Sequence, residues 1–292
     1  MQHTASIAGF EIGVPEVERF GYAQFATAVA TSDNWAHHEG AELVYMLDGD
    51  ACWELDDNLL VPLSTGQCAL FPAGLKHRIT NGVYPPSSSF WLVMSNHKNT
   101  GRAGMLTDSN RMLFDTALGR HGLTRPISEQ GLASIQALIR LMKDKRLYSG
   151  APLLVSELRA HLYLIMVETW KVHDRSPATT EPDPIVQKVL DMIHGETETW
   201  PQIGALAETV GCTRGHLHAI FRRDIGMSPS DYVQRHRIRQ ACECLRSGSD
   251  TVTDVAHTLG FASSQHFART FRKYLGLTPS DYRNQRSHRS AI

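Results

Sequence analysis

The sequence predicts an α+β protein of two domains: a strand-rich N-terminal barrel followed by helices, and a C-terminal all-α domain with two helix-turn-helix units. Three observations support this fold class. At 292 residues, the chain exceeds the usual size of a single domain. The spacing of its apolar residues changes along the chain from that of strands to that of helices. A segment of the C-terminal part occurs twice.

The strand-rich part extends from Phe20 to Ser95. It contains short apolar or aromatic runs separated by Gly, Pro, Asn and Asp, which is typical of a β-barrel or sandwich. The candidate turns are Asp48-Gly49-Asp50, Asp56-Asp57-Asn58 and Asn81-Gly82.

Two helices are predicted after the strands, between Leu132 and Trp170, because apolar residues recur there at spacings of three and four. Their apolar faces pack either on the barrel or on a second subunit, and the sequence leaves both open. The proline-rich segment Asp174–Pro184 is typical of an exposed linker. We therefore divide the chain into a barrel (residues 1–105), a helical dimerisation or packing region (106–173), a linker (174–184) and a C-terminal domain (185–292).

The charge balance differs between the two parts of the chain. From Pro184 onward there are 14 Lys and Arg against 10 Asp and Glu, whereas the rest has 15 against 20. The basic part weakly favours a polyanionic partner. Because no apolar run approaches the roughly 20 residues of a membrane span and no signal peptide is recognised, we expect a cytoplasmic protein. Five scattered cysteines without CxxC spacing favour reduced thiols.

The duplicated segment is the most informative feature. Residues 206–232 align with residues 255–282, at an offset of 49 before the turn and 50 after it, so that one residue is inserted between Gly211 and His216. In each copy an apolar stripe, a glycine and a second apolar stripe follow one another, as in a helix-turn-helix. A helix from Pro229 to Arg246, about 27 Å long, connects the copies and suits the roughly 34 Å spacing of successive major grooves.

The outward face of the second helix in the second copy carries Gln265, Arg269 and Arg272, at spacings of four and three. Gln pairs with adenine and Arg with guanine in the major groove, while Arg272 and Lys273 suit phosphates. The alternative interpretation is an ordinary solvated face, which most surface helices have. The duplication favours the nucleic-acid interpretation.

At these residues the sequence resembles the AraC/XylS family of bacterial transcription regulators, from Ile185 to Arg283. The resemblance includes Arg237, Ile238, Ala241 and Leu245 on the connecting helix, and the run GFASSQHFARTFRKYLGLTPSDYR. It implies double-stranded promoter or operator DNA as a partner, recognition helices in adjacent major grooves, contact with RNA polymerase, usually as an activator, and a nucleoid-associated location. It also implies a homodimer formed through the helical region.

The first copy departs from this pattern. At the positions of Gln265 and Arg269 it has Gly215 and Ala219, whose side chains cannot form hydrogen bonds with bases. We therefore expect the second unit to carry more of the base specificity. The predicted DNA-binding residues are Arg214, His218, Arg222, Ser264, Gln265, Arg269, Arg272 and Lys273.

The N-terminal part resembles the cupin barrel. Gly66, Pro72, Gly74, His77 and Asn81 fit the second cupin motif, and His38, Glu42 and Gly49 fit the first, but Ala36 stands where the first motif has a histidine. If this segment is a strand, Ala36, His38, Glu42 and Val44 share one face and His37 points away.

Three interpretations of the barrel residues remain open. In the first, His38, Glu42 and His77 are ligands of a divalent metal (Zn, Ni, Fe or Mn). In the second, these residues and Trp35 contact a small effector without metal, and in the third they are a structural remnant. Three functions are also open: an effector-controlled transcription regulator, a cupin metalloenzyme with a DNA-binding tail, and a regulator whose barrel only dimerises. A sugar or another metabolite is the expected effector class. The missing ligand and the two helix-turn-helix units favour the regulator over the enzyme.

Overall fold

The computed structural model describes residues 2–31, 34–95, 124–174, 182–195, 200–248 and 250–287. The boundary expected near residue 105, and residues 175–181 of the expected linker, lie outside these ranges. The strands of the described part are β1 (Gln2–Ala8), β2 (Val17–Phe25), β3 (Val29–Ala30), β4 (Glu42–Leu55), β5 (Leu60–Ser64), β6 (Gln67–Phe71), β7 (His77–Ile79), β8 (Val83–Tyr84), β9 (Ser87–Met94) and β10 (Arg125–Pro126).

The long strand β4 joins the two sides of the barrel. Its first half pairs with β9 and β6, its second half pairs with β5 and β7, and every one of these pairings is antiparallel. The outer strands β1 and β2 extend the sheet beyond β9. The strands therefore start at Gln2, before the strand-rich pattern of Phe20–Ser95 but within the range of 1–105 that was assigned to the barrel.

The turn predicted at Asp48-Gly49-Asp50 is wrong. The chain continues through these residues as one strand, with a register shift between Met46 and Asp48, and Gly49 takes a φ of +78°. Such a bulge uses the same glycine chemistry as a turn but does not reverse the chain. The turns at Asp56–Asn58 and Asn81–Gly82 are present, and Asn58 and Asn81 both adopt positive φ.

Two helices pack on one outer face of the barrel: α1 (Glu129–Lys143) and α2 (Pro152–Asp174). Ile135, Leu138, Leu158 and Leu162 share a buried core with barrel residues such as Leu43. A buried hydrogen bond of 2.5 Å between Tyr45 Oη and Thr169 Oγ1 fixes α2 on the sheet. The apolar faces of both helices thus pack on the barrel, which was one of the two alternatives.

The C-terminal domain consists of α3 (Pro184–His194), α4 (Ile203–Thr209), α5 (Arg214–Ile225), α6 (Pro229–Ser247), α7 (Val252–Thr258), α8 (Ser264–Leu275) and α9 (Pro279–Ser287). The first helix-turn-helix unit is α4–α5 and the second is α7–α8. Helices α5 and α8 have 12 residues each and are offset by 50, while α4 and α7 have 7 each and are offset by 49. The inserted residue therefore lies in the turn of the second unit, between α7 and α8, as the repeat predicts.

The barrel also packs on both helix-turn-helix units. Cys52 and Leu60 belong to the core of the first unit, and Val83 belongs to the core of the second. Two tyrosines that correspond in the repeat contact the barrel backbone: the Leu60 N–H donates to Tyr232 Oη (3.4 Å), and Tyr282 Oη donates to the Asn81 carbonyl (3.0 Å). Nothing in the periodicity of the sequence indicates this contact.

Within the described ranges, no helix combines the length and apolarity that a membrane span requires.

Candidate nucleic-acid interface and barrel cluster

Three side chains of the barrel form a compact cluster: His38, Glu42 and His77. Glu42 Oε2 lies 2.6 Å from His77 Nε2 and 3.4 Å from His38 Nε2. The side chain of His77 is 4% exposed and that of Glu42 14%, whereas that of His38 is 29% exposed. The cluster thus reaches from the barrel interior to solvent, and the three residues selected from the cupin motifs meet in space.

Backbone hydrogen bonds hold the cluster together. Ala36 and His77 form an isolated bridge through two hydrogen bonds of 2.9 and 3.0 Å, and the Gly74 N–H donates to the His38 carbonyl at 2.8 Å. Residues 37–41 are not a strand, so the expected strand alternation from Ala36 to Val44 is wrong. The loop reaches the same arrangement because Gly74, at a φ of +76°, turns its N–H toward His38.

Hydrogen bonds within the cluster shift the pKa values of Glu42 and His38. Burial raises the pKa of the Glu42 carboxyl, but the hydrogen bonds from His38 and His77 outweigh it, so the pKa lies below its ordinary value. The hydrogen bond to Glu42 also raises the pKa of His38. Both ring nitrogens of His77 face oxygen acceptors, since Nδ1 lies 3.0 Å from the Leu75 carbonyl. A neutral imidazole has one N–H, so it can donate to only one of these two oxygens.

The ligand set fits a divalent cation in type. Two imidazoles and one carboxylate lie with their ligand atoms within 4.8 Å of one another. The contact between His77 and Glu42 is a hydrogen bond, and it would have to open by about 1 Å to accommodate an ion at usual ligand distances. His37, the other histidine of the loop, is exposed and takes no part.

Two aromatic residues beside the cluster were not found from the sequence. The ring of Phe71 stacks on His77 at 4.3 Å and 10°. Burial, and after it the nearby charge of Glu42, raises the pKa of Tyr84 to about 12.

Trp35 is not brought to the cluster: it is 37% exposed and its ring lies under the Arg78 guanidinium at 4.4 Å, on the face opposite His77. Its predicted role in effector binding stays a prediction.

The second recognition helix, α8, presents a basic and amide face to solvent. Phe267 and Phe271 anchor it in the core, while Gln265 and Arg269 are exposed on the other side, one turn apart. Neither Arg269 nor Arg272 has an ion-pair partner among the described residues. Their guanidinium groups are therefore available to an external acceptor.

The remaining predicted contacts of this unit lie around that face. Ser264 is half-buried at the start of α8, where Ser263 forms the N-cap with the His266 N–H. Arg272 and Lys273 are exposed in the last turn. Arg272 also lines a groove that opens toward Thr27 and Ala28 of the barrel.

The first recognition helix, α5, has a different outward face. Arg214 and Arg222 are exposed and His218 is half-buried, but the positions of Gly215 and Ala219 offer no polar side chain. The Arg214 guanidinium folds back over Gly204 on α4, so closely that a Cβ on that glycine would collide with it. Arg223 pairs with Asp224 at 2.6 Å.

Comparison with known proteins supports both domains. A family model described as a helix-turn-helix domain matches residues 206–285, which cover both units. A model described as a cupin domain matches residues 25–83, which include His38, Glu42 and His77.

The relatives share part or most of their length with this chain. A putative AraC-like transcription regulator from Streptomyces lividans is 31% identical over 120 residues, 38% of this chain and 40% of its own length. The regulator MtrA from Neisseria gonorrhoeae is 24% identical and covers 71% of this chain and 74% of its own length. The regulator AlkR from Acinetobacter baylyi is 22% identical, with 82% and 88% covered. The structure of ToxT from Vibrio cholerae is 12% identical, covers 97% of each chain and has a TM-score of 0.34.

The motifs, the two superimposable units and the matched models agree with one another. The chain carries an AraC-type helix-turn-helix domain after a cupin domain, and it is similar to proteins named as AraC-like transcription regulators.

Proposed function

We propose that this protein is a sequence-specific activator of transcription whose DNA binding is controlled by a small effector in the barrel. The observation that carries the proposal is the pair of corresponding recognition helices, α5 and α8. Helix α8 exposes Gln265 and Arg269, and Arg269 has no ion-pair partner among the described residues. A basic face on a helix of this geometry suits a major groove, where such side chains recognise adenine and guanine.

The two units have different roles in DNA recognition. In α8, Gln265 and Arg269 contact base edges, and Ser264, Arg272 and Lys273 position the helix on phosphates. In α5, Arg214, His218 and Arg222 supply mainly backbone contacts, because Gly215 and Ala219 cannot bond to bases. Base specificity then resides mostly in the half-site of the second unit.

The barrel cluster is the effector site in this proposal. Its exposed edge at His38 and its buried end at His77 make the cluster accessible to a small polar metabolite such as a sugar, or to a divalent cation. RNA polymerase is the partner for activation. The relative AarP from Providencia stuartii, 35% identical over 85 residues, and RhaS from Pectobacterium are named as activators, which supports this direction.

DNA binding is tested with the full-length chain and random-sequence duplexes. We expect selection to enrich a two-part site with one strongly restricted half, and Gln265→Ala to relax the sequence preference in that half alone. Gly215→Ala serves as the matched control in the first unit, where little change is expected. Enrichment of no sequence over the starting pool would contradict sequence-specific binding.

Metal analysis separates the two ways in which the cluster could work. Stoichiometric Zn, Ni, Fe or Mn in the purified protein, lost in His77→Ala but kept in His37→Ala, supports a cation. Protein that binds DNA and takes up none of these metals on dialysis contradicts the metal and leaves direct effector contact.

A cupin metalloenzyme is the second candidate, and only the cluster itself favours it. The relatives are named as regulators, and Ala36 leaves the first cupin motif one ligand short.

Sedimentation of the full-length chain tests the proposed homodimer, since a monomer at micromolar concentration would contradict it.

A further inference from the structure

A buried carboxylate, Glu54, joins the barrel to the C-terminal domain. It is 1% exposed and lies between two arginines. Arg78, on strand β7, donates to its Oε2 at 3.1 Å, and Arg239, on the connecting helix α6, lies 3.0 Å from its Oε1. Arg239 also donates to Asn58 Oδ1 at 2.9 Å. One carboxylate is thus shared by two cations from different domains.

This ion triad is adjacent to the barrel cluster. Arg78 directly follows His77, and in the register of β4 and β7 it lies opposite Glu54. The side chains of His77 and Arg78 point to opposite faces of the strand, His77 toward the cluster and Arg78 toward α6. A shift of the β7 backbone at His77 therefore moves Arg78 relative to Glu54.

The barrel also contacts the two helices that follow the helix-turn-helix units, α6 and α9. Tyr232, near the start of α6, accepts a hydrogen bond from the Leu60 N–H of the barrel. Tyr282, on α9, donates one to the Asn81 carbonyl of the barrel. Asn81 lies only four residues after His77. Because two recognition helices must match major grooves about 34 Å apart, a change in how the barrel sits on α6 changes the fit to DNA.

We propose that the Glu54 triad is the junction through which a change at the His38–Glu42–His77 cluster reaches the two DNA-binding units. The inference rests on the proposed function, since it assigns the regulation of that same barrel site. A buried carboxylate that loses one of two cationic partners becomes poorly compensated, which weakens the packing of the barrel on α6.

Hydrogen exchange of the full-length protein, without DNA, tests the junction. Arg239→Met is expected to raise the exchange of α6 amides by about tenfold, because the interdomain contact protects them. Glu243→Gln is the matched control: it removes the other ion pair of Arg239, at 3.4 Å to a 46% exposed side chain, and leaves Glu54 untouched. Glu54→Gln preserves the shape of the junction and provides a second variant if Arg239→Met does not fold.

Coupling is measured by adding a change at the cluster. Glu42→Gln is expected to raise α6 exchange severalfold in the wild-type background and to add nothing in Arg239→Met or Glu54→Gln. The junction is overturned if Glu42→Gln affects only barrel amides, if its effect is undiminished in those backgrounds, or if Arg239→Met behaves like Glu243→Gln.

Affinity for a duplex selected from random-sequence DNA gives the second readout. We expect Glu42→Gln to change the Kd in the wild-type background and not in the Arg239→Met background. A protein that enriches no duplex contradicts the proposed function, whereas the exchange data still decide whether the junction exists.

Discussion

The two helix-turn-helix units share one framework but differ in what they present outward. Leu217 and Phe221 of the first unit correspond to Phe267 and Phe271 of the second, Tyr232 on α6 corresponds to Tyr282 on α9, and all six are buried. The exposed positions have diverged, from Gly215 and Ala219 to Gln265 and Arg269. Core packing constrains the buried set in both units, whereas the outer face is constrained only by what it binds.

The units also differ in how they are held. In the second unit, the buried Arg237 of α6 donates to the Leu259 carbonyl at 2.7 Å and stacks on Phe261 at 4.1 Å. Tyr274 Oη donates to Asp231 Oδ1 at 2.6 Å. In the first unit, the backbone N–H of Asp183 donates to Asp224 at 2.8 Å. Among the described residues, the unit that exposes Gln265 and Arg269 is therefore the one that α6 fixes by side-chain bonds.

The largest expected effect concerns DNA affinity. Arg269→Ala should weaken binding to a selected operator by about 1–3 kcal/mol, roughly 5- to 150-fold, because a bidentate contact to guanine is lost. Fluorescence anisotropy with each half-site scrambled in turn measures it, and scrambling the half bound by α8 should cost more in the wild type. Equal losses from the two scrambled halves would show that the units are equivalent.

The second effect is a loss of folding stability at acidic pH that depends on His236 of α6. Burial, and after it the charges of Arg239 and His194, lowers the pKa of His236 to about 3. The native protein keeps this imidazole neutral, while the unfolded chain protonates it near pH 6.5. The unfolded state then binds more protons below that pH, so stability is lost as the pH falls from about 6.5 toward 3, by up to about 1.4 kcal/mol per pH unit.

Thermal or urea unfolding between pH 7.5 and 5 measures this slope. His236→Gln should flatten it, because the substituted side chain cannot be protonated. The exposed His257, replaced by Gln in the second unit, is the matched control and should leave the slope unchanged. Parallel slopes in the wild type and His236→Gln would refute the assignment to this residue.

A third, smaller effect concerns the first helix of each unit. Helix α7 begins with a capping box between Thr251 and Asp254, whereas the N-cap residue of α4, Gln202, forms no side-chain cap bond. Thr251→Ala should lower the free energy of unfolding by about 1 kcal/mol. Gln202→Ser should raise it by a few tenths to about 1 kcal/mol by giving α4 the missing cap. Changes of the same sign in both variants would contradict this explanation.

The smallest effect is expected at Arg214. Since its guanidinium lies over Gly204, Arg214→Ala should weaken DNA binding only slightly, to a similar extent for all sequences, and reduce the salt slope by about one. Titrations at several salt concentrations measure it. A loss confined to one operator base would instead give Arg214 a role in base recognition.

Much of the fold could be predicted because its signals are local. The duplicated stripes and glycines gave the bounds of both units, and the cupin spacing selected His38, Glu42 and His77, which meet in the structure. The details that depend on non-local bonds were missed. Gly49 lies within a strand instead of a turn because β4 pairs with β9 up to Gly49 and with β5 from Asp50 onward, and the loop at residues 37–41 is held by Gly74.

The sequence by itself determined the division into a strand-rich part and a tandem helix-turn-helix part, and the chemical asymmetry between Gly215–Ala219 and Gln265–Arg269. Periodicity and repeats specify these because each position acts through near neighbours in the chain. Only the tertiary structure decided that Glu54 lies buried between Arg78 and Arg239 and that Tyr232 and Tyr282 both reach the barrel. Those partners lie far apart in sequence, and a buried charge can be recognised only once its surroundings are folded around it.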